Sequence, residues 1–173
     1  MPTPTKDFDA EALYLVLRDQ LRAGLSGIPN AAIVGIHSGG AWLAERLARD
    51  LGLEKRLGFI DVSFYRDDYA KKGLHPDVKP THIGFDVDGT TIVLVDDVLY
   101  TGRTTRAAIN VLFDYGRPAR IMLAALADRG QRQLPVAADF VAAHVQIEAG
   151  HSLVLARAGE GADTRFSLTI EVD

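Results

Sequence analysis

Four times along the chain a strand-like run gives way to a polar, glycine-bearing loop. Ala31 to Ile36, Ile92 to Val95 and Ile121 to Ala127 are apolar stretches. That is the pattern of strands buried on both faces of a parallel sheet. Phe59 to Phe64 instead alternates, with Phe59, Asp61 and Ser63 set against Ile60, Val62 and Phe64. It predicts a half-exposed strand. Between the runs the period lengthens. Asp9 to Arg22 predicts an amphipathic helix with Ala12, Leu13, Val16, Leu17 and Leu21 on its apolar stripe and Arg18, Asp19 and Arg22 off it. A second helix is predicted from about Ala41 to Leu51, with Trp42 and Leu43 as core residues. A third starts at Arg106, turns Ala107, Ala108, Val111 and Leu112 inward, and is closed by Gly116 and Pro118. Ala138 to Val141 reads as a further strand, His144 to Leu155 as sheet-edge material, and Phe166 to Val172 as an alternating terminal strand. The pattern predicts an α/β fold: a central, mainly parallel sheet flanked by helices, with its active loops at the carboxyl edge.

The length of 173 residues suits a single domain with a sizeable core, preceded by a loose arm over residues 1 to 8. A composition 47% apolar and 24% charged is that of an ordinary globule. No apolar run reaches bilayer-spanning length, and Met1 to Ala10 lacks the plan of a signal peptide. With no cysteine, disulfides, thiolate nucleophiles and Cys-based zinc sites are excluded. Together these features point to the cytoplasm. The net charge of −4 argues against a generic nucleic-acid binder.

The chemistry gathers in the loops. The run Ile92–Val95 ends in Asp96 and Asp97, followed by Val98, Leu99, Tyr100, Thr101, Gly102, Arg103, Thr104 and Thr105, where the third helix opens. Free N–H groups and a positive dipole at a helix start suit a phosphate, and Gly102 lets the backbone approach it. The two carboxylates suit ribose hydroxyls, a Mg²⁺ ion, or both. His37, Ser38, Gly39 and Gly40 repeat the strand–loop–helix plan, with glycines where a backbone must come close to an anion. Tyr65, Arg66, Asp67, Asp68, Lys71 and Lys72 belong to a long charged loop of the kind that serves as a lid. Asp86-Val87-Asp88-Gly89-Thr90 carries the Asp-x-Asp-Gly-Thr of haloacid-dehalogenase-type phosphatases. The apolar strand that motif needs is missing before it, and Asp88-Gly89 reads as a turn.

Val93 to Thr105 resembles the phosphoribosyl-pyrophosphate (PRPP) motif of the type I phosphoribosyltransferases. The string from Val95 to Thr104 is most similar to the PyrR group, pyrimidine operon attenuators with uracil phosphoribosyltransferase activity. The resemblance implies the type I fold with a small hood built from parts of 129–173. It implies catalytic roles for Asp96, Asp97 and Arg66, and binding of the 5′-phosphate by Val98 to Thr105. Pyrophosphate falls to His37, Ser38, Gly39 and Gly40, closed over by the lid. Asp128, Arg129, Gly130, Leu134 and Pro135 come to lie beside the nucleobase. The implied reaction converts PRPP and uracil to UMP and pyrophosphate, with Mg²⁺ entering with PRPP and held indirectly by Asp96 and Asp97. A homo-oligomer, dimer or higher, is implied as well. Two alternatives stand beside this reading: an RNA-binding attenuator responsive to UMP or PRPP with weak catalysis, and a phosphoribosyltransferase for a purine base. The chain departs from the PyrR pattern in places. Gly39 stands where that group usually has Arg, and Gln131 and Gln133 replace a His and a Glu. Tyr14 and Arg18 stand at the first-helix positions where attenuators use Thr and His to face RNA.

Overall fold

Buried apolar runs set the frame of the computed structural model, which describes residues 8–63 and 81–173. β1 (Ala31–Ile36) and β4 (Thr91–Leu99) lie side by side and parallel, with Ile33 opposite Val93 and Gly35 opposite Val95. Every residue of β1 is buried, as are the first six of β4, as strands covered on both faces require. β2 (Leu57–Ile60) pairs with the other side of β1, and β5 (Arg120–Asp128) with the other side of β4, both parallel. β6 (Phe140–His144) adds a further parallel strand beyond β5. The two-residue β3 (His82–Ile83) closes the opposite edge, antiparallel to β2. The sheet order is β3-β2-β1-β4-β5-β6. β7 (His151–Ala158) and β8 (Arg165–Val172) form a separate antiparallel pair.

Successive side chains of a strand point to opposite faces, and the core divides accordingly. Ile33, Val93, Val95 and Ala124 pack with α1 (Ala10–Gly24) and α2 (Gly39–Leu51) on one face. Val34, Ile92, Leu94 and Ala125 pack with Ala107, Ala108 and Leu112 of α3 (Arg103–Tyr115) on the other. The expected α/β architecture with a mainly parallel sheet is the one observed.

Several boundaries differ from the sequence expectation. In α1 the Asp9 carboxylate caps the helix by accepting the Ala12 N–H at 3.0 Å. The buried stripe is Ala10, Tyr14, Leu17 and Leu21, while Ala12 and Val16 are exposed. The stripe is rotated because Tyr14 goes inward. Its hydroxyl donates to Asp50 at 2.6 Å, so the ring can be fully buried at no cost in unsatisfied polar groups. Burial and the Asp50 hydrogen bond push the phenol pKa up. The Arg46 guanidinium lies 3.9 Å above that ring and 5.3 Å from Phe166, and pairs with both Glu11 oxygens at 3.1 and 2.8 Å. Burial pushes the Glu11 carboxyl upward, but the Arg46 hydrogen bond, the Phe166 N–H and the Arg46 charge hold it below its ordinary value.

β4 runs four residues past Val95, because β5 stays beside it as far as Leu99 opposite Asp128. α2 and α3 both begin earlier than expected, at Gly39 and Arg103, so parts of both presumed loops are first helical turns. β2 stops at Ile60, short of Phe64, although Ile60 and Val62 are buried as the alternation predicts. β6 starts at Phe140, after Asp139, whose N–H donates to the Leu123 carbonyl and whose carboxylate accepts the Leu123 N–H, each at 2.8 Å. Of the stretch 144–155, only His151 onward is strand of the second sheet, His144 being the last residue of β6. Val87 to Thr90 is a turn, with Gly89 at φ +70° and the Thr90 N–H on the Val87 carbonyl, as the Asp-Gly signal predicts.

Candidate active site

The acid pair lies near the end of a hydrogen-bonded strand, where the pleat and the β5 ladder fix its backbone. Asp96 is 5% exposed and its Oδ1 accepts the Asp97 N–H at 2.9 Å. Oδ1 of Asp97, which is half-buried, accepts the Val98 N–H at 2.8 Å. Two successive amides of the strand are thus satisfied by carboxylates.

The first turn of α2 sits directly against this strand end. A Cβ at Gly39 would lie 2.3 Å from Asp97 Oδ2, and one at Gly40 would lie 2.3 Å from the Val95 carbonyl oxygen. His37 is held alongside by its N–H on the Ile60 carbonyl and by its ring 5.5 Å from Phe59. Of the four expected pyrophosphate residues, His37 and Ser38 therefore lead into a helix that Gly39 and Gly40 begin.

On the other side of the acid pair in sequence, α3 follows β4 closely. Gly102 adopts φ +94° to make the corner, a conformation open to glycine. Thr101 Oγ1 accepts the Arg103 N–H at 3.2 Å. Thr105 is 2% exposed, and its hydroxyl has no hydrogen-bond partner among the described residues. A buried hydroxyl left in that state is costly and suits a ligand acceptor. A cavity of about 790 Å³ is lined here by Asp96 to Gly102, Thr104 and Thr105, and by none of residues 37–40. The Nε of Arg103 donates to Gln133 Oε1 at 2.9 Å, and Arg103 does not line the cavity.

The facing wall comes from Arg129 and Gln131 just past β5, from Ala149 and Gly150, from the first five residues of β7, and from Asp173. Arg129 connects it to the first wall. Its N–H donates to the Leu99 carbonyl, its guanidinium lies 4.0 Å over the Tyr100 ring, and Nη1 donates to the His151 carbonyl at 3.3 Å. Asp128 is buried between the Gly130 N–H at 2.9 Å and Arg132 Nη2 at 2.7 Å. Burial raises its pKa, but the Arg132 bond, the Gly130 N–H and the Arg132 charge win and hold the carboxyl below its usual range. A second cavity, of about 680 Å³, is lined by Asp128 to Gln131 and by His144 to Glu148. It shares Arg129 and Gln131 with the first.

Two of the expected residues lie away from both cavities, and a segment without a motif lines them. Leu134 and Pro135, expected beside a base, line neither cavity. The N–H groups of Gln133 and Leu134 bond the Thr101 carbonyl at 2.9 and 3.2 Å, so this segment buttresses the loop of the first wall. The residues missed are His144 to Leu155, which line the two cavities between them and carry no local motif. The one cue is that they follow a fourth strand ending at the same edge. The lid residues Tyr65, Arg66, Asp67, Asp68, Lys71 and Lys72 lie outside the described residues.

Residues 18–152 match the family model described as phosphoribosyl transferase domain. The bifunctional protein PyrR of Ralstonia nicotianae is 54% identical over 169 residues, covering 96% of this chain and 97% of that one. The bifunctional protein PyrR of Thermus thermophilus is 50% identical over 138 residues, covering 78% of this chain and 76% of that one. The crystal structure of a purine phosphoribosyltransferase from Pyrococcus horikoshii Ot3 superposes with a TM-score of 0.60 at 29% identity, over 80% of this chain and 83% of that one. A hypoxanthine phosphoribosyltransferase from Staphylococcus aureus, at 20% identity and TM-score 0.62 over 84% and 80% of the two chains, shares the fold. The chain therefore belongs to the phosphoribosyltransferase family, of type I fold, and within it to the PyrR group. It is a phosphoribosyltransferase.

Proposed function

We propose that the chain displaces pyrophosphate from C1 of PRPP with N1 of uracil, giving UMP. The carrying observation is the single cavity that joins the Asp96–Asp97 pair to the start of α3, with the unpartnered Thr105 hydroxyl in its wall. A sugar phosphate needs acceptors for ribose hydroxyls at one end and donors for the phosphate at the other. Identity of 54% to a PyrR protein over nearly the whole length, against 29% to a purine enzyme, favours uracil over a purine base.

In this reading the 5′-phosphate binds the N–H groups and hydroxyls of Tyr100 to Thr105, and the ribose hydroxyls bind Asp96 and Asp97. As the bond to pyrophosphate breaks, positive charge develops on the ribose, and the two carboxylates stabilise it. Catalysis is positioning plus electrostatics, without a protein nucleophile. Pyrophosphate leaves toward residues 37–40 and the lid, whose Arg66 neutralises it. Asp128, Arg129 and Gly130 border the base. Among the described residues no three acidic, His or Cys groups cluster for a metal. Asp96 and Asp97 would hold, indirectly, a Mg²⁺ ion that enters with PRPP. That ion supplies charge neutralisation on the diphosphate.

RNA attenuation is outside this reading. Tyr14 is fully buried and Arg18 pairs with Asp19 at 3.1 Å, so these α1 positions offer RNA little. Phe113 and Tyr115 on α3, 53% and 48% exposed, support a homo-oligomer. The substrates are cytoplasmic metabolites, and no helix among the described residues is long and apolar enough to cross a membrane. The test is pyrophosphate release from PRPP and Mg²⁺ with each free base in turn. Uracil is expected to turn over fastest; faster turnover of hypoxanthine or guanine overturns the base assignment, and no turnover with any base overturns the reaction.

A further inference from the structure

The hairpin of β7 and β8 lines the main cavity with His151 to Leu155, yet it belongs to a sheet of its own. No ladder of the central sheet fixes where it stands. A lone two-stranded hairpin is marginal in water. Leu153, Leu155, Phe166 and Leu168 are buried in the same apolar cluster as α1 and α2. That burial holds the hairpin down, but apolar packing has no direction and does not set the hairpin's angle over the cavity.

Direction comes from hydrogen bonds along the outer edge of β8. The Phe166 N–H donates to Glu11 Oε2 at 3.0 Å, and the Leu168 carbonyl accepts the Phe8 N–H at a looser 3.4 Å. Glu11 is held in turn by Arg46, whose Nη1 donates to both carboxylate oxygens, at 3.1 and 2.8 Å. The Arg46 guanidinium lies 3.9 Å over the Tyr14 ring and 5.3 Å from that of Phe166, with its side chain only 17% exposed. A pair enclosed in this way is screened less than one on the surface. One side chain of α2 thus joins α1, α2 and β8. The Tyr14 hydroxyl on Asp50 ties the two helices together a second time. α2 also meets the opposite wall: its first turn lies against Asp97, about two turns before Arg46.

We propose that Arg46, acting through Glu11, is a positioning residue for the base: it sets where the β7–β8 wall stands relative to the acid pair. Phe166 lies two residues from Leu168, whose partner across the hairpin is Leu155, the last wall residue of β7. The pin at Phe166 therefore fixes that end of the wall. The other end is pinned by Arg129 Nη1 on the His151 carbonyl at 3.3 Å. Releasing the Phe166 pin lets the hairpin swing about the Arg129 contact. The base side of the cavity then loses its fixed width, while Asp96, Asp97 and the start of α3 stay in place. The kinetic half of this inference rests on the phosphoribosyl-transfer reading, and the mechanical half does not.

The experiment compares Glu11→Ala, Arg46→Ala and the double variant with wild type. Amide hydrogen exchange without substrate tests the pin. Exchange is expected to quicken about tenfold or more at Phe166 and along residues 151–155 in each variant, with the amides of Ile92 to Val95 unchanged. Unchanged exchange at Phe166 overturns the pin, and equal acceleration throughout the chain reduces the pair to general stability. Steady-state kinetics test the positioning. KM for uracil is expected to rise about tenfold in each single variant, with kcat and KM for PRPP changed less than about threefold, and the double variant is expected to be no worse than Arg46→Ala. Losses spread equally over kcat and both KM values, or losses that multiply in the double variant, overturn the positioning role. Glu11 is partly exposed, so Glu11→Ala decides both questions alone should Arg46→Ala fail to fold. A wild-type protein that turns over no base contradicts the functional reading alone, and the exchange measurement still decides the pin.

Discussion

The two walls of the main cavity are built in opposite ways. The wall from Asp96 to Thr105 is one continuous stretch: a strand end, a glycine corner and a helix start. Its groups are placed by backbone geometry that the stretch dictates locally. The facing wall joins residues just past β5, the 149–150 turn and β7, and its order depends on Arg129 and Arg132 reaching groups on other segments. Arg129 reaches Leu99, Tyr100 and His151; Arg132 reaches Tyr100, Asp128 and Val136. On the proposed function, the first wall holds what every PRPP reaction shares, and the second selects the partner for it. Precision is local where the reaction is shared, and assembled where it is particular.

The comparison breaks hardest if the first wall is not catalytic. Asp97→Asn, which keeps an acceptor for the Val98 amide, should fold normally and lose about a hundredfold or more in kcat/KM. Near-normal turnover would remove the acid pair from the mechanism. Next in size is Thr105→Val, an almost isosteric change. It removes a buried, unpartnered hydroxyl, so the ligand-free protein should melt no lower than wild type. Its affinity for UMP, read by calorimetry, should fall about tenfold, since a hydrogen bond to a charged group contributes about 1.5–3 kcal/mol. A stability loss with unchanged affinity would place that hydroxyl outside the phosphate site.

Smaller effects test the second wall. Arg129→Lys keeps the charge but not the planar stack on Tyr100. KM for uracil should rise about fivefold, for about 1 kcal/mol of lost cation–π contact, while KM for PRPP holds. Equal changes in both would mean the walls are not separable. The smallest effect is on acid stability. Asp128 has its carboxyl pKa depressed in the fold, so its contribution is complete above the ordinary carboxylate pKa of about 3.9 and is lost as pH falls below it, through the lowered value. Arg132→Gln should flatten that acid limb of a Tm-against-pH curve and leave the slope near neutral pH as it is in wild type. An unchanged acid limb would deny the Asp128–Arg132 pair that role.

The same division decides what is legible in the sequence. Ile92 to Val95 announces a buried strand and Val98 to Thr105 a phosphate corner, because period, glycine and hydroxyls act within a few residues. The overrun of β4 to Leu99 is hidden, since Asp96 and Asp97 look like a strand's end unless each carboxylate is seen to accept the N–H of the residue after it. Tyr14 falls off the expected buried face because its partner, Asp50, lies in another helix. The close approach of Gly39 to Asp97 cannot be seen in the sequence, because the two lie on different elements. Leu134 and Pro135 carry a resemblance that points to the base, while tertiary bonds to Thr101 turn that segment under the opposite wall.

One property of β4 reaches beyond geometry. Its pairing with β1 extends to Val95, whereas its pairing with β5 continues to Leu99. The acid pair thus sits on a strand tip held by half a ladder, with the amides of Asp97 and Val98 leaning on carboxylates. Amide hydrogen exchange at such a tip proceeds by local opening rather than by global unfolding. Anything that engages those carboxylates changes the protection of the two amides beside them. The proposed catalytic groups and a small, separately opening unit of the fold are then the same few residues, and on the proposed function substrate occupancy is written into their exchange rates.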